Sequence, residues 1–307
     1  MIDISLLKSL CEVHATSGNE APMTSFLLRY IESRKNDFKS APVIFTGNEF
    51  GDNIVLVFGK PTAAVYAHMD SIGFTVGYEN RLIRIGGPKI ASGYMLRGTD
   101  AAGEVRGELL HDEDSGEMIL KSERIAERGT DLSFVTDFRE SEDYVQCCSM
   151  DNRLGVYNAL KVAEQLENGA VVFTCYEEHG GGSAAFLAGF LYEKYGVRQA
   201  LISDITWVTS GVHAGQGVAV SLRDSWIPRR SYVERIRNIL DANGVRYQIE
   251  VESAGGSDGK EIQLSPFPVD WCFIGAPEDF VHSPDERVHK ADIESMLEAY
   301  RVLMKNL

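Results

Sequence analysis

Residues 149–178 read SMDNRLGVYNALKVAEQLENGAVVFTCYEE. The apolar spacing predicts a helix over 154–167 and a strand over 170–176. That strand ends on two carboxylates, Glu177 and Glu178. The alternation continues on the C-terminal side. A helix over 182–195 precedes a strand over 199–203. Strands over 217–222 and 246–252 flank a helix over 229–242. A short helix near 258–264, a strand over 269–274 and a helix over 290–305 close the chain. On the N-terminal side, helices over 3–13 and 20–34 lead into two apolar strands, NIVLVF (53–58) and AAVYAH (63–68). Such alternation predicts the α/β class, with a mixed sheet sandwiched by helices.

Between 73 and 146 the texture changes. Short β-like pieces such as FTVGY, RLIRI and EMILKS are separated by turns at Gly86-Gly87-Pro88 and Asp114-Ser115-Gly116. Short strands at close spacing predict a small β-barrel or sandwich. The expected organisation is one α/β domain from 1–72 and 147–307, with a β module of 73–146 inserted between its halves. At roughly 150 residues per domain, 307 residues also give about two domains.

Lys plus Arg number 30 and Asp plus Glu 45, a formal charge of −15. An acidic balance disfavours nucleic-acid binding, which needs basic surface against phosphate. It equally disfavours docking on anionic lipid. No run approaches the ~18 consecutive apolar residues of a membrane span. The start MIDISLLKSLCEVH lacks the basic and apolar regions of a signal peptide. No membrane association and a cytoplasmic location are therefore expected. Five cysteines without a Cys-x-x-Cys pair argue against a disulfide framework and against a thiolate zinc site.

Polar residues cluster at the ends of the predicted strands, where ligands bind in open α/β sheets. AHMDSIG carries His68 and Asp70, SMDNRLG carries Asp151, CYEEHGG carries Glu177 and Glu178, SDIT carries Asp204, and FVHSPDE carries His282. Imidazole mixed with carboxylate suits zinc and similar divalent ions. His68 and Asp70, at i and i+2 in an extended chain, share a face, so the acid can fix the imidazole's tautomer. Of the adjacent Glu pair, one can bind metal while the other stays free as a general base beside a metal-activated water. Singly, each residue reads equally well as a sheet-edge histidine, a helix N-cap or a solvated acid. Together, five segments ending on one edge favour a shared site. His14 is placed in an amphipathic helix, and His111, His213 and His289 lie outside the pattern. His179 follows the Glu pair. The chain lacks the P-loop, the dinucleotide fingerprint and the Gly-x-Ser-x-Gly elbow.

At these motifs the sequence resembles the di-metal aminopeptidases typified by glutamyl aminopeptidase and the tetrahedral (TET) aminopeptidases, the forty-second metallopeptidase family. The likeness covers nearly the whole chain, including AHMDSIGF, SMDNRLGVYNAL, CYEEHGG, SDITW, AGGSDGKEIQLS and FVHSPDERVHKADIE. It implies a di-zinc exopeptidase-like fold with a PDZ-like dimerisation insert. It also implies two divalent ions per subunit, zinc or cobalt. His68 and Asp204 would bind one ion, Glu178 and His282 the other, and Asp151 would bridge both. Asp70 would orient His68, and Glu177 would be the general base. Peptides would be the substrates, and the assembly a homo-oligomer of dimers, as large as a dodecamer.

Three stretches depart from the family pattern. Asn152 stands where a second Asp is usual, the glycine-rich loop reads Gly256-Ser257-Asp258-Gly259, and Glu278-Asp279 replaces a stretch that usually carries an Arg. Acids at 278 and 279 suggest a preference for basic or neutral N-terminal residues over acidic ones. A related N-acyl-amino-acid deacylase or carboxypeptidase is the alternative. It would need a cation for the substrate carboxylate, and Arg153, Arg223 and Arg229 are the candidates. An inactive structural homologue is the remaining reading.

Overall fold

Two sheets divide the strands of the computed structural model, which describes residues 2–307. The chain opens with α1 (Ile4–Glu12), α2 (Ala21–Ser33), β1 (Val43–Phe45), β2 (Ile54–Phe58) and β3 (Ala64–His68). Then come β4 (Gly73–Val76), β5 (Leu82–Ile85), β6 (Met95–Asp100), β7 (Gly103–His111), β8 (Met118–Ser122) and β9 (Asp131–Phe134). β10 (Arg139–Glu140) and β11 (Tyr144–Gln146) lead to α3 (Met150–Ala163), β12 (Gly169–Thr174), α4 (Ala184–Tyr195) and β13 (Gln199–Trp207). The chain ends with β14 (Val218–Arg223), α5 (Arg230–Ala242), β15 (Tyr247–Val251), α6 (Asp258–Leu264), β16 (Asp270–Asp279), β17 (Arg287–His289) and α7 (Lys290–Asn306).

The larger sheet has eleven strands, in the order β1-β2-β12-β3-β13-β16-β17-β11-β10, with β14 and β15 branching from β16. β12, β3, β13 and β16 run parallel, and antiparallel strands complete the sheet on both sides. It is a mixed sheet. In β12, Val171 and Phe173 enter one apolar core, while Ala170 and Val172 enter a second on the opposite face. A sheet buried on both faces needs apolar residues at every position, which is why its central strands read as continuous apolar runs. α3 packs on β13, β3 and β12, and α4 packs with α6.

β13 is longer than predicted. It pairs with β16 over nine residues, from Gln199↔Asp270 to Trp207↔Glu278. Asp204 therefore lies inside a strand, not at its end. It still reaches the site edge, because β3 pairs with β13 only as far as Ile202. β16 runs on to Asp279, so Glu278 and Asp279 are strand residues. α3 starts at Met150, although Asp151 and Asn152 have non-helical backbone angles.

The smaller sheet takes six strands, in the order β5-β4-β9-β6-β7-β8. It curls into a half-barrel. Its two edge strands approach through a single bridge, Arg81↔Ile119. Asn80 fills that seam in place of a ladder. Its amide donates to Leu120 O, Ser122 Oγ and Arg124 O, and accepts from Ala126 N. β10 and β11 lie between 73 and 146 in sequence but belong to the larger sheet, where β11 pairs with β17 and β10 with β11. α1 stops at Glu12, so His14 is not helical as expected. Its ring ties the N-terminal segment to the small sheet, with Nδ1 2.9 Å from Ser133 Oγ and Nε2 2.6 Å from Asp131 Oδ2. Among the described residues no helix is long and apolar enough to cross a membrane.

Candidate metal centre

The parallel strands of the larger sheet deliver their C-terminal ends to one edge. His68 closes β3 and is 2% exposed. Its neighbour across the ladder is Thr174, the last residue of β12, so the chain beyond β12 carries Glu177 and Glu178 past His68. Asp151 sits at the irregular start of α3, and His282 follows β16. These side chains converge. His68 Nε2 lies 3.2 Å from Asp151 Oδ1 and 3.6 Å from Asp204 Oδ2. His282 Nε2 lies 3.3 Å from Asp151 Oδ2 and 3.2 Å from Glu178 Oε2. Two triads result, His68–Asp151–Asp204 and Asp151–Glu178–His282, and within each the ligand atoms lie within 4.8 Å of one another. Asp151 belongs to both and turns one oxygen to each histidine. Glu177 stands beside the first triad, with Oε2 4.0 Å from His68 Nε2.

The sequence model of the M42 glutamyl aminopeptidases matches residues 121–298. The chain belongs to this family. It is a hydrolase of the peptidase class. A candidate aminopeptidase of Acetivibrio thermocellus is 26% identical, with 94% of each chain covered. Two solved structures share the fold. Aminopeptidase APDkam598 from the archaeon Desulfurococcus kamchatkensis has a TM-score of 0.85 at 22% identity, covering 99% of this chain and 94% of that one. The TET1 peptidase of Pyrococcus horikoshii has a TM-score of 0.81 at 22% identity, covering 99% of both.

In this M42 chain the two triads are steadied by Asp70, which the sequence points to, and by Glu20, Glu286 and the Gly86-Gly87 turn, which it does not. Asp70 stands 3.5 Å from His68 Nδ1, long for a hydrogen bond. It also accepts from Ser17 Oγ (2.5 Å) and from the backbone N–H groups of Glu177 and Glu178 (3.1 Å each). Asp70 thus fixes the whole Glu177-Glu178 turn. Buried Glu20 helps by accepting from Gly18 N and Tyr176 N. Buried Glu286 accepts from Asp151 N (3.2 Å) and His282 N (2.8 Å). The small sheet contributes directly. His282 Nδ1 donates to Gly87 O (3.1 Å), and Gly86 N donates to His179 Nδ1 (3.1 Å). Gly86 has φ +68, and a Cβ there would come within 2.8 Å of Glu178 O, so only glycine fits this approach. The only sequence signal was the Gly86-Gly87-Pro88 turn.

The charge balance of the M42 site is distinctive. Burial raises the Glu178 carboxyl, and nearby Asp151 adds to this, bringing it to about 7. Burial likewise lifts Asp204 to about 6, against the pull of His68. Burial works against charge on His282, but Asp151 and Glu178 outweigh it and push the imidazole up to about 12. The same contest, won by Asp204 and Asp151, holds His68 well above its ordinary value. The acids therefore demand positive charge between them. Glu178 Oε1 is buried without a hydrogen-bond partner. Imidazole and carboxylate donors, grouped in threes and short of positive charge, fit divalent cations.

The triads open into a cleft of about 370 Å³. Among the described residues no arginine lines it, and Lys260 is its one basic residue besides the histidines. Arg153 is fully buried and donates to the carbonyls of Met69, Val13 and Ala15, so it supports the backbone under the site. Arg223 donates to Asp224 O, and Arg229 pairs with Asp270. Glu278 is buried outside the cleft lining, and Asp279 pairs with Arg287 at 2.7 Å.

Proposed function

We propose that the chain is a metal-dependent aminopeptidase acting on peptides with a free N-terminus. The observation that carries this reading is Asp151, whose two oxygens face His68 and His282 at 3.2 and 3.3 Å. His68 and Asp204 would hold one divalent ion, Glu178 and His282 a second, and Asp151 both. Zinc or cobalt suits that donor set. Ions bound there would polarise the scissile carbonyl and make a water molecule easier to deprotonate.

The chain's own residues supply the rest. Glu177 belongs to neither triad and lines the cleft. Burial is the main cause that raises its carboxyl well above the ordinary range, with Glu178 and Asp204 adding to it, while His68 works against the shift. A carboxylate of that basicity takes a proton from the attacking water and returns it to the departing amine. Asp70 is a positioning residue, holding the backbone of Glu177 through its N–H. The deacylase and carboxypeptidase readings need a cation for the substrate carboxylate. None of their three arginine candidates lines the cleft.

The oligomer reading has separate support. The P. horikoshii TET1 peptidase assembles into a tetrahedron or an octahedral shell. The small sheet of this chain exposes Ile83, Met95 and Leu110. We infer a homo-oligomer built from dimers through that PDZ-like sheet.

The deciding experiment is Glu177→Gln. The variant should keep the metal content of the parent while losing about 10²–10⁴-fold in kcat on an aminoacyl p-nitroanilide. Turnover near that of the parent would remove Glu177 from the role of base.

A further inference from the structure

The rest of the cleft wall is also acidic. Asp224, Glu250, Glu252, Asp258 and Glu261 line it, against Lys260 alone. Among the described residues none of these five acids forms an ion pair. They come from the segment after β14, from β15 and the turn after it, and from α6, so they face the triads from a separate part of the fold. Asp258 is 1% exposed. Its Oδ2 accepts from Thr174 Oγ1 at 2.6 Å, while its Oδ1 has no partner. Thr174 is the ladder neighbour of His68, so Asp258 lines the cleft next to the first triad, and its unpartnered oxygen lies where a Cβ on Gly182, another lining residue, would come within 3.4 Å. A buried carboxylate oxygen without a partner is costly unless a donor arrives.

The wall does not chelate. The only groups of three or more His, Cys, Asp and Glu ligand atoms within 4.8 Å of one another, among the described residues, are the two triads. Acids spread along a wall suit an organic cation on a flexible stem better than a third metal ion. Trp207, Trp226 and Phe273 line the same cleft, and their rings suit the methylenes of such a stem. We propose that the cleft selects peptides whose N-terminal residue is lysine or arginine. This inference rests on the aminopeptidase reading above. It is narrower than the preference for basic or neutral over acidic residues that the sequence suggests through Glu278 and Asp279, and it rests on different residues, since those two do not line the cleft.

The test compares kcat/KM of the metal-loaded protein on lysyl, arginyl, leucyl and glutamyl p-nitroanilides. Lysyl and arginyl substrates should exceed leucyl by about tenfold or more, the scale of one charge-assisted hydrogen bond, with glutamyl lowest. Glu252→Lys, at a partly exposed position that tolerates either charge, should cut the lysyl-to-leucyl ratio by about tenfold. Asp258→Asn should lower the same ratio. Leucyl or glutamyl turnover equal to lysyl would overturn the inference alone, as would a ratio unchanged in both variants. Hydrolysis of none of the four would overturn the aminopeptidase reading and this inference with it.

Discussion

The two triads share Asp151 but are held in different ways. His68 and Asp204 are residues of β3 and β13, neighbouring strands, and both are buried. Their positions follow from the sheet ladder itself. Glu178 and His282 lie on irregular segments. Asp70 clamps one through its N–H, Glu286 clamps the other, and Gly87 fixes the His282 ring. Strand-borne triad residues are placed by many weak, redundant bonds. Loop-borne triad residues are placed by a few strong ones, and removing any of those few has a larger effect.

The most severe way to break the comparison is to delete a ligand from the looser half. His282→Ala should retain one of two divalent ions by metal analysis and lose on the order of 10²-fold or more in kcat/KM. Loss of both ions together would show that the halves are not independent. A second experiment uses pH. Burial raises Glu178 from 4.5 to about 7 and Asp204 from 3.8 to about 6. Neighbouring acids raise His282 from 6.5 to about 12. In each case the folded chain binds more protons than the unfolded one, so stability falls as pH rises. Asp151 moves the opposite way, lowered by His282 and His68 against its burial, but that acts only below its ordinary 3.8. The Tm of chelated protein should therefore fall from about pH 5 to 8. The stabilisation gained on adding zinc should grow over the same range, because ions and protons compete for these donors. A chelated Tm that rises with pH would contradict the charge balance described above.

The mildest test concerns the tether between the sheets. Asp131 accepts from His14, Thr16 and Asn19. Asp131→Ala should cost about 1–3 kcal/mol of stability. Calorimetry should still record one transition, since the apolar cores of the two sheets are continuous. Two resolved transitions would mean that the small sheet melts separately.

Much of this was legible beforehand. The helix and strand alternation after residue 148 reads directly from apolar spacing, because every central strand is buried on both faces. The acids and histidines of the triads were visible because they interrupt or terminate those runs. Short strands such as β1, β10, β11 and β17 were not, since two or three residues carry no period. Arg153 looked like a substrate group, yet its guanidinium is spent on carbonyls. Glu20 and Glu286 resemble surface acids in one dimension, and only their burial against backbone N–H groups distinguishes them. Glu278 and Asp279 read as acids beside the site, and the continuation of β16 leaves them outside the cleft lining.

The contact between His282 and the carbonyl of Gly87 has a different kind of consequence. A peptide oxygen is present whatever residue occupies the position, so drift at residue 87 can pass unrecorded in an alphabet of side chains. What it cannot survive is displacement. Trimming the half-barrel away as a spare module would unseat a triad histidine that lies far outside it in sequence, and any force that shifts that sheet is transmitted to the ring of His282.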